Sequence, residues 1–196
     1  MYMSVEDGTG GNSKLQIYKD NKLAGRVVTS AEQQEAVKEG RAWNFNTGFV
    51  GPIFTNSALI YFLNNEDADF FISSVAVGLK DGSATDVQGL YFVANPTGGT
   101  LIDAATTADM ICNRKIGSGL SLTSSSKVYK PTGTGQTLTG GQDCALFAQN
   151  DQGRLFATVD FYLPRGKACG IRVEVDGGFS GEMYVALICH KEKELC

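Results

Sequence analysis

The sequence is poor in the residues on which most catalytic and metal-binding sites depend. It contains one histidine, His190, and one tryptophan, Trp43. Its five cysteines are widely spaced and include no Cys-x-x-Cys pair, which argues against a zinc site and against a disulfide framework. We expect four of them to be reduced thiols in or beside apolar strands, where cysteine behaves as a small hydrophobic residue, and Cys196 to be exposed.

The sequence also lacks a basic block and a long apolar run. Lys and Arg number 17 against 21 Asp and Glu, so nothing in the chain would neutralise a phosphate backbone. No apolar run approaches the ~20 residues that span a bilayer, and residues 1–7 lack the basic and apolar regions of a secretory signal. We therefore expect no nucleic-acid partner, no membrane association, and a chain that stays in the cytoplasm where it is made.

The sequence has 24 glycines and only four prolines, and the many glycines favour numerous turns over long helices. From residue 42 onward, apolar and polar residues alternate in short runs such as 43–49 and 71–79, which indicates strands with one buried face. Residues 58–63 are apolar throughout, which indicates a strand covered on both faces. Further strands are predicted at 87–94, 120–129, 144–149, 155–163, 171–175 and 183–189, with a helical turn at 103–110.

The spacing of these strands predicts the fold class. About nine strands at intervals of roughly 8 to 12 residues, without intervening long helices, are typical of an all-β antiparallel β-sandwich and not of βαβ units. A jelly-roll-like sandwich is favoured, because eight-stranded double sheets are a common way to protect strand edges. We assign this domain to residues 42–190 and a charged C-terminal tail to residues 191–196.

Residues 1–41 differ from the rest and are predicted to form an N-terminal arm. Residues 15–18 and 25–28 flank turn-forming sequence and predict a short hairpin, and a capping box that starts at Ser30 predicts a two-turn helix ended by Gly40. Such a ribbon is too small to be stable alone, so we expect it to attach the domain to a partner. The alternative is that it folds back on its own sandwich as an edge hairpin. The predicted partner contacts are Leu15, Ile17, Tyr18, Val27, Val28 and Trp43.

Candidate catalytic and ligand-binding residues are few. His190 ends the last predicted strand among charged residues, where we expect it to be solvated, and no serine has a Gly-x-Ser-x-Gly context. Asp160 and Glu174 lie inside predicted strands, where a carboxylate is usually the outward member of an alternating pair and not half of a glycosidase site. Loop aspartates lack the spacing of a calcium site, and the glycine clusters lack the lysine of a phosphate loop. We predict no enzyme activity, no cofactor and no metal ion.

Five segments between residues 58 and 188 carry a resemblance to a known group of proteins. They are LIYFLNNED at 59–67, VAVG at 75–78, VANPTGGTLI at 93–102, NRKIGS at 113–118 and LFATVDFYLPRG at 155–166. These segments resemble structural proteins of the virions of tailed double-stranded-DNA bacteriophages. The likeness lies in turn and strand sequence and not in a catalytic motif. It implies a β-sandwich building block of the particle, with a capsid decoration protein ranked before a head-fibre base and a collar or tail component.

The sequence leaves three candidate functions, which belong to different classes of protein. The first is a capsid decoration (cement) or head-associated virion protein, assembled in the host cytoplasm as a homo-oligomer, with a trimer favoured. It would bind the major capsid protein or another virion protein through its arm. The second is a carbohydrate-binding or receptor-binding module of a tail, collar or fibre, in which Trp43 would serve as the sugar platform. A polysaccharide hydrolase is a third, and it would require Asp160 or Glu174 to be catalytic.

Overall fold

The computed structural model describes residues 2–6, 12–16, 25–51, 53, 55–80, 87–104, 110–132, 135–147, 154–175 and 181–192. The strands and helices in these residues are, in chain order, β1 Tyr2–Glu6, β2 Asn12–Gln16, α1 Gly25–Glu39, β3 Ala42–Asn46, β4 Ser57–Leu63, β5 Phe70–Lys80, β6 Val87–Ala94, α2 Thr100–Ala104, β7 Met110–Asn113, β8 Lys127–Tyr129, β9 Gln142–Phe147, β10 Arg154–Leu163, β11 Ala168–Val175 and β12 Glu182–Lys191. Strands dominate, as the period-two alternation predicts, and all the strand pairs are antiparallel.

Two five-stranded sheets make up the body of the molecule. The first sheet has the strand order β10-β5-β12-β3-β7, and the second sheet has the order β8-β4-β11-β6-β9. Without β7 and β8, the remaining strands alternate between the sheets as in a jelly roll. If these eight strands, from β3 to β12, are renumbered 1 to 8 along the chain, the first sheet has the order 6-3-8-1 and the second sheet has the order 2-7-4-5. The predicted jelly-roll-like β-sandwich is confirmed.

The core lies between the two sheets and is rich in aromatic rings. Phe45 of β3 meets Phe62 of β4 across the sheets, with ring centroids 4.9 Å apart, and Phe62 meets Phe70 of β5 at 5.2 Å. All three side chains are fully buried. Edge-to-face contacts of this kind stabilise by about 0.5–1.5 kcal/mol beyond the burial of the rings themselves. The aromatic cluster therefore joins the sheets.

β4 is buried on both faces, as its continuous apolar sequence predicts. Ile60 and Phe62 belong to the core between the sheets, whereas Ala58 and Tyr61 belong to a second apolar cluster on the other face. Leu101 of α2 is part of that second cluster and is fully buried. The short helix α2 thus covers part of the outer face of the second sheet.

The N-terminal segment contains a hairpin and a helix, but not at the predicted residues. β1 pairs with β2, from Tyr2 opposite Gln16 to Glu6 opposite Asn12, and this hairpin belongs to neither five-stranded sheet. Val27 and Val28, predicted on a strand, lie in the first turns of α1. Their β-branched side chains favour a strand locally, and the tertiary packing of the helix overrides that preference.

Helix α1 begins earlier than the capping box predicts and packs on the outer face of the first sheet. Ala36 is fully buried, and Gln33 Nε2 donates a hydrogen bond to Ser73 Oγ at 2.9 Å. The backbone of Arg41 then donates to the carbonyl of Ala36, which ends the helix against β3. Within the described ranges, no helix combines the length and the apolar character that crossing a membrane requires.

The segment between β6 and β9 departs from the sequence prediction. Residues 103–110 are predicted as a helical turn, yet α2 ends at Ala104 and residues 110–113 form β7 beside β3. The strand predicted at 120–129 is shortened to β8, which pairs with β4. β7 and β8 form because they pair with β3 and β4, which lie far away in the sequence. A local sequence pattern therefore does not predict them. They cover the outer edges of β3 and β4.

The substitution Leu59→Ala should lower the free energy of unfolding by about 2–5 kcal/mol, because it leaves a cavity between the sheets. Leu59 is 0% exposed, whereas Leu120, in the loop between β7 and β8, is 52% exposed. The matched change Leu120→Ala should alter the free energy of unfolding by less than about 0.5 kcal/mol. Urea unfolding followed by circular dichroism measures both values. Equal losses would contradict the assigned core.

Candidate functional site

The outer strand of the first sheet, β10, exposes two aromatic rings. β10 pairs with β5 on one side and has no strand partner on the other side in the described part of the chain. Phe156 is 64% exposed and Tyr162 is 62% exposed. We call Phe156, Tyr162 and the outer backbone of β10 the aromatic edge. Exposed strand edges are sites where another chain can add a strand, and natural proteins usually protect them.

An apolar cleft of about 200 Å³ opens beside the aromatic edge, between β10 and the second sheet. Phe161 lies in its wall and stacks on Phe92 of β6, with ring centroids 4.1 Å apart. The ring of Tyr162 packs edge-on against Phe71 of β5 at 5.1 Å, on the outer face of the first sheet. Burial and then nearby negative charge raise the pKa of the Tyr162 phenol, so it remains a hydrogen-bond donor. The edge therefore offers backbone groups, rings and an apolar recess together.

A register shift between Thr158 and Phe161 interrupts the aromatic edge. A β-bulge of this kind bends a strand and limits uncontrolled pairing along its whole length. Asp160 lies in this irregular part and is exposed. An incoming strand would therefore pair with only part of β10, which restricts the partners that fit.

A polar network occupies the outer face of the second sheet. Arg172 of β11 donates to Asp143 at 2.6 Å and to Asn56 Oδ1 at 2.9 Å, and Tyr91 donates to Glu174 at 2.6 Å. The guanidinium carbon of Arg172 lies 4.1 Å from the centroid of the Tyr91 ring. The hydrogen bond to Asp143 is the main cause that raises the pKa of Arg172.

The Arg172 network ties β6, β9 and β11 together. Its charged groups pair with one another, and the guanidinium covers one face of the Tyr91 ring. A sugar platform needs an open aromatic face, so this part of the sheet is suited to stabilising the sandwich and not to stacking a ligand.

A buried carboxylate holds the loop between β7 and β8. Glu66 is 4% exposed, and its Oε1 accepts hydrogen bonds from the Thr123 amide, the Thr123 hydroxyl and the Ser126 hydroxyl at 2.7, 2.7 and 2.8 Å. Lys191 Nζ lies 3.8 Å from its other oxygen. The loop presents Ile116, which is 99% exposed. Glu66 therefore fixes a surface loop.

The predicted partner contacts are scattered through the structure. Leu15 lies in β2 and Val27 and Val28 lie in α1, while Ile17 and Tyr18 fall outside the described residues. Trp43 is 4% exposed and packs against Phe70 at a centroid distance of 5.5 Å. Trp43 therefore belongs to the core, as the alternation of residues 43–49 favours, and a buried indole has no open face for a sugar or for a partner chain.

The candidate catalytic residues do not come together. Asp160 lies on β10 of the first sheet and Glu174 on β11 of the second sheet. His190 is 1% exposed, so the expectation that it is solvated is wrong, because α1 covers the end of β12. Neither of its ring nitrogens has a hydrogen-bond partner among the described residues.

Cys169 and Cys189 follow the sequence prediction, whereas Cys112 and Cys144 are free thiols in strands but are not buried. Cys169 and Cys189 are buried, and burial raises the pKa of each thiol far above its ordinary value, which keeps both protonated. Cys112 and Cys144 are exposed although they lie in strands, because β7 and β9 are outer strands of their sheets. Cys196 falls outside the described residues.

The aromatic edge is the functional feature that the sequence prediction missed. Its signal is nevertheless present in residues 155–163, where the inward positions are all apolar and the outward positions include Phe156 and Tyr162. Two aromatic residues on the solvent side of a predicted strand indicate a contact surface.

The substitution Arg172→Met should lower the free energy of unfolding by about 1–2 kcal/mol, because it leaves Asp143 and Glu174 without their shared cation. The matched substitution Lys80→Met breaks an ion pair with Glu182 in which both side chains are about half exposed. The Lys80→Met change should lower the free energy of unfolding by less than about 0.5 kcal/mol. Urea unfolding at low and high salt measures both. A loss for Arg172→Met no larger than that for Lys80→Met would contradict the network.

Comparison of the chain with protein-family models, with curated proteins and with solved structures finds no significant match.

Proposed function

We propose that the chain is a structural component of a tailed-phage particle, in the first place a decoration or other head-associated protein bound to the capsid shell. The observation that carries the proposal is the aromatic edge, with Phe156 and Tyr162 exposed beside an apolar cleft. A neighbouring chain can pair with such an edge and insert a side chain into the recess. The jelly-roll strand order supports the proposal, because viral capsid domains often have it.

The proposed interface combines two sources of binding energy. Backbone hydrogen bonds to β10 give affinity without much sequence preference, whereas the cleft beside Phe161 and Tyr162 selects the side chain that enters it. Closed symmetry is the default for repeated structural proteins, so we propose that copies of the chain pair around a symmetry axis, with a trimer preferred. Repetition would then multiply weak contacts to the shell.

The N-terminal arm is proposed as the second contact with the shell. Because α1 packs on the first sheet, we assign the anchor to the residues that precede Gly25, which include Leu15 and the β1-β2 hairpin. Burial of one large apolar side chain contributes about 1.5–3 kcal/mol, while ordering the backbone costs about 1–2 kcal/mol per residue. These terms nearly cancel for one arm, so several arms must act together.

A carbohydrate-binding or receptor-binding module of a tail, collar or fibre is the second candidate. The observation that favours it is Tyr162, whose ring is exposed on the outer side of β10. Tyrosine in that position can stack on a sugar ring and donate a hydrogen bond from its hydroxyl group. Trp43 has no part in this candidate, because it is buried.

The double substitution Phe156→Ser and Tyr162→Ser should weaken self-association of the protein by about tenfold or more. An anchoring aromatic residue at an interface typically contributes about 2 kcal/mol, and 1.4 kcal/mol corresponds to a tenfold change in Kd. Sedimentation velocity over a concentration series measures the Kd. Ile116→Ser is the control, since Ile116 is also exposed but lies in the loop between β7 and β8.

Two results would count against the proposed interface. The wild-type protein could sediment as a monomer throughout the micromolar range, or the control could weaken association as much as the double substitution. Binding to a glycan array that is abolished by Tyr162→Ser, in a protein that stays monomeric, would instead favour the carbohydrate-binding candidate.

A further inference from the structure

Three potential metal ligands meet where α1 crosses the end of β12. They are Glu32 of α1, His190 of β12 and Glu192, which directly follows β12. One ligand atom from each residue lies within 4.8 Å of the other two. We call these three residues the helix junction cluster. It lies on the outer side of the first sheet, away from the core between the sheets.

His190 is the unusual member of the helix junction cluster. Its side chain is 1% exposed, and both ring nitrogens are buried without a hydrogen-bond partner among the described residues. Glu192 Oε1 is likewise buried without a partner and lies 3.6 Å from His190 Nε2. A buried polar atom without a partner costs about 1–3 kcal/mol, so native proteins rarely leave several in one place. His190 Nε2 and Glu192 Oε1 are the two atoms that a single ligand placed between them would satisfy.

The charges of the cluster favour a cation. Two carboxyl groups, those of Glu32 and Glu192, lie within 4.8 Å of each other beside the buried imidazole. A neutral imidazole leaves one ring nitrogen with a free lone pair that can bind a metal ion. The neighbouring guanidinium of Arg41 is held by Glu39 at 2.6 Å and by the carbonyl of Lys191.

We propose that Glu32, His190 and Glu192 bind a divalent transition-metal ion of the Zn²⁺ type, with water completing the coordination. Zn²⁺ binds histidine nitrogen and carboxylate oxygen at about 2.0–2.2 Å, so two ligands of one tetrahedral ion lie roughly 3.4 Å apart. The 3.6 Å between His190 Nε2 and Glu192 Oε1 fits that spacing. The imidazole disfavours Ca²⁺ and Mg²⁺, which prefer all-oxygen sites.

The metal ion would cross-link helix α1 to the end of β12 in the first sheet. Glu32 comes from α1, whereas His190 and Glu192 come from the end of the last strand. An ion that binds only the folded arrangement stabilises it in proportion to the logarithm of its concentration. Loading the site should therefore hold α1 on the first sheet, and this effect is independent of the proposed capsid role.

Zn²⁺ titration of the full-length protein tests the site. Exposed thiols also bind zinc, so the background carries Cys112→Ser, Cys144→Ser and Cys196→Ser. Isothermal titration calorimetry should show one ion per chain, and Zn²⁺ at about 100 times its Kd should raise the Tm by roughly 5 °C or more, whereas Ca²⁺ should not. Co²⁺ in place of Zn²⁺ gives visible absorption bands that report coordination by the protein.

Single substitutions decide whether the cluster is the site. Glu32→Gln and His190→Gln should each weaken Zn²⁺ binding at least tenfold and remove the Co²⁺ bands, while Glu35→Gln on the same helix should leave both unchanged. If His190→Gln does not fold, Glu32→Gln decides the question, because Glu32 is partly exposed on a surface helix. No Zn²⁺ binding in the cysteine-substituted background, equal binding by Glu32→Gln, or an equal response to Ca²⁺ would overturn the proposal.

Discussion

The aromatic contact between Phe45, Phe62 and Phe70 joins the two sheets, and the rest of the structure depends on the sandwich that it holds together. Because Phe62 comes from the second sheet and the other two come from the first, the cluster fixes how the sheets face each other. The chain must then cross between the sheets after almost every strand. The jelly-roll order follows from this alternation, and it also determines which strands are left at the edges.

The edges explain where the molecule can meet a partner. On one side of the sandwich, the short strands β7 and β8 cover β3 and β4. On the other side, β10 and β9 are outer strands in the described part of the chain. The outer faces of the sheets are also largely occupied, one by α1 and the other by α2 and the Arg172 network. Of these two outer strands, β10 exposes two aromatic rings, which makes the aromatic edge the more apolar contact surface.

The sequence predicts most of the sandwich because the relevant signals are local. The alternation along β10 and the continuous apolar run of β4 report one-sided and two-sided burial, and the structure confirms both. β5 differs, because its alternating sequence predicts one exposed face, yet it is buried along most of its length where α1 covers the outer face of the first sheet. The beginning of α1 is not predictable in this way, because Val27 and Val28 prefer strands and the helix depends on its packing against the first sheet. β7 is missed for a similar reason, since its four residues are set by their pairing with β3.

The candidate sites are less predictable than the fold. His190 stands in the sequence beside charged residues, and its burial depends on a helix that lies about 150 positions earlier in the chain. The helix junction cluster likewise joins Glu32 to Glu192, which no spacing rule would connect. Phe156 and Tyr162 differ, because their alternation within one strand marks them as outward-facing aromatic residues from the sequence alone.

Cryo-electron microscopy of a phage particle that contains this chain tests the central claim most directly. Our account predicts a jelly-roll density on the outer surface of the head, with β10 paired to a neighbouring chain and the residues before Gly25 in contact with the capsid shell. Density for the chain at a tail or fibre tip, with the aromatic edge of β10 open to solvent, would contradict it.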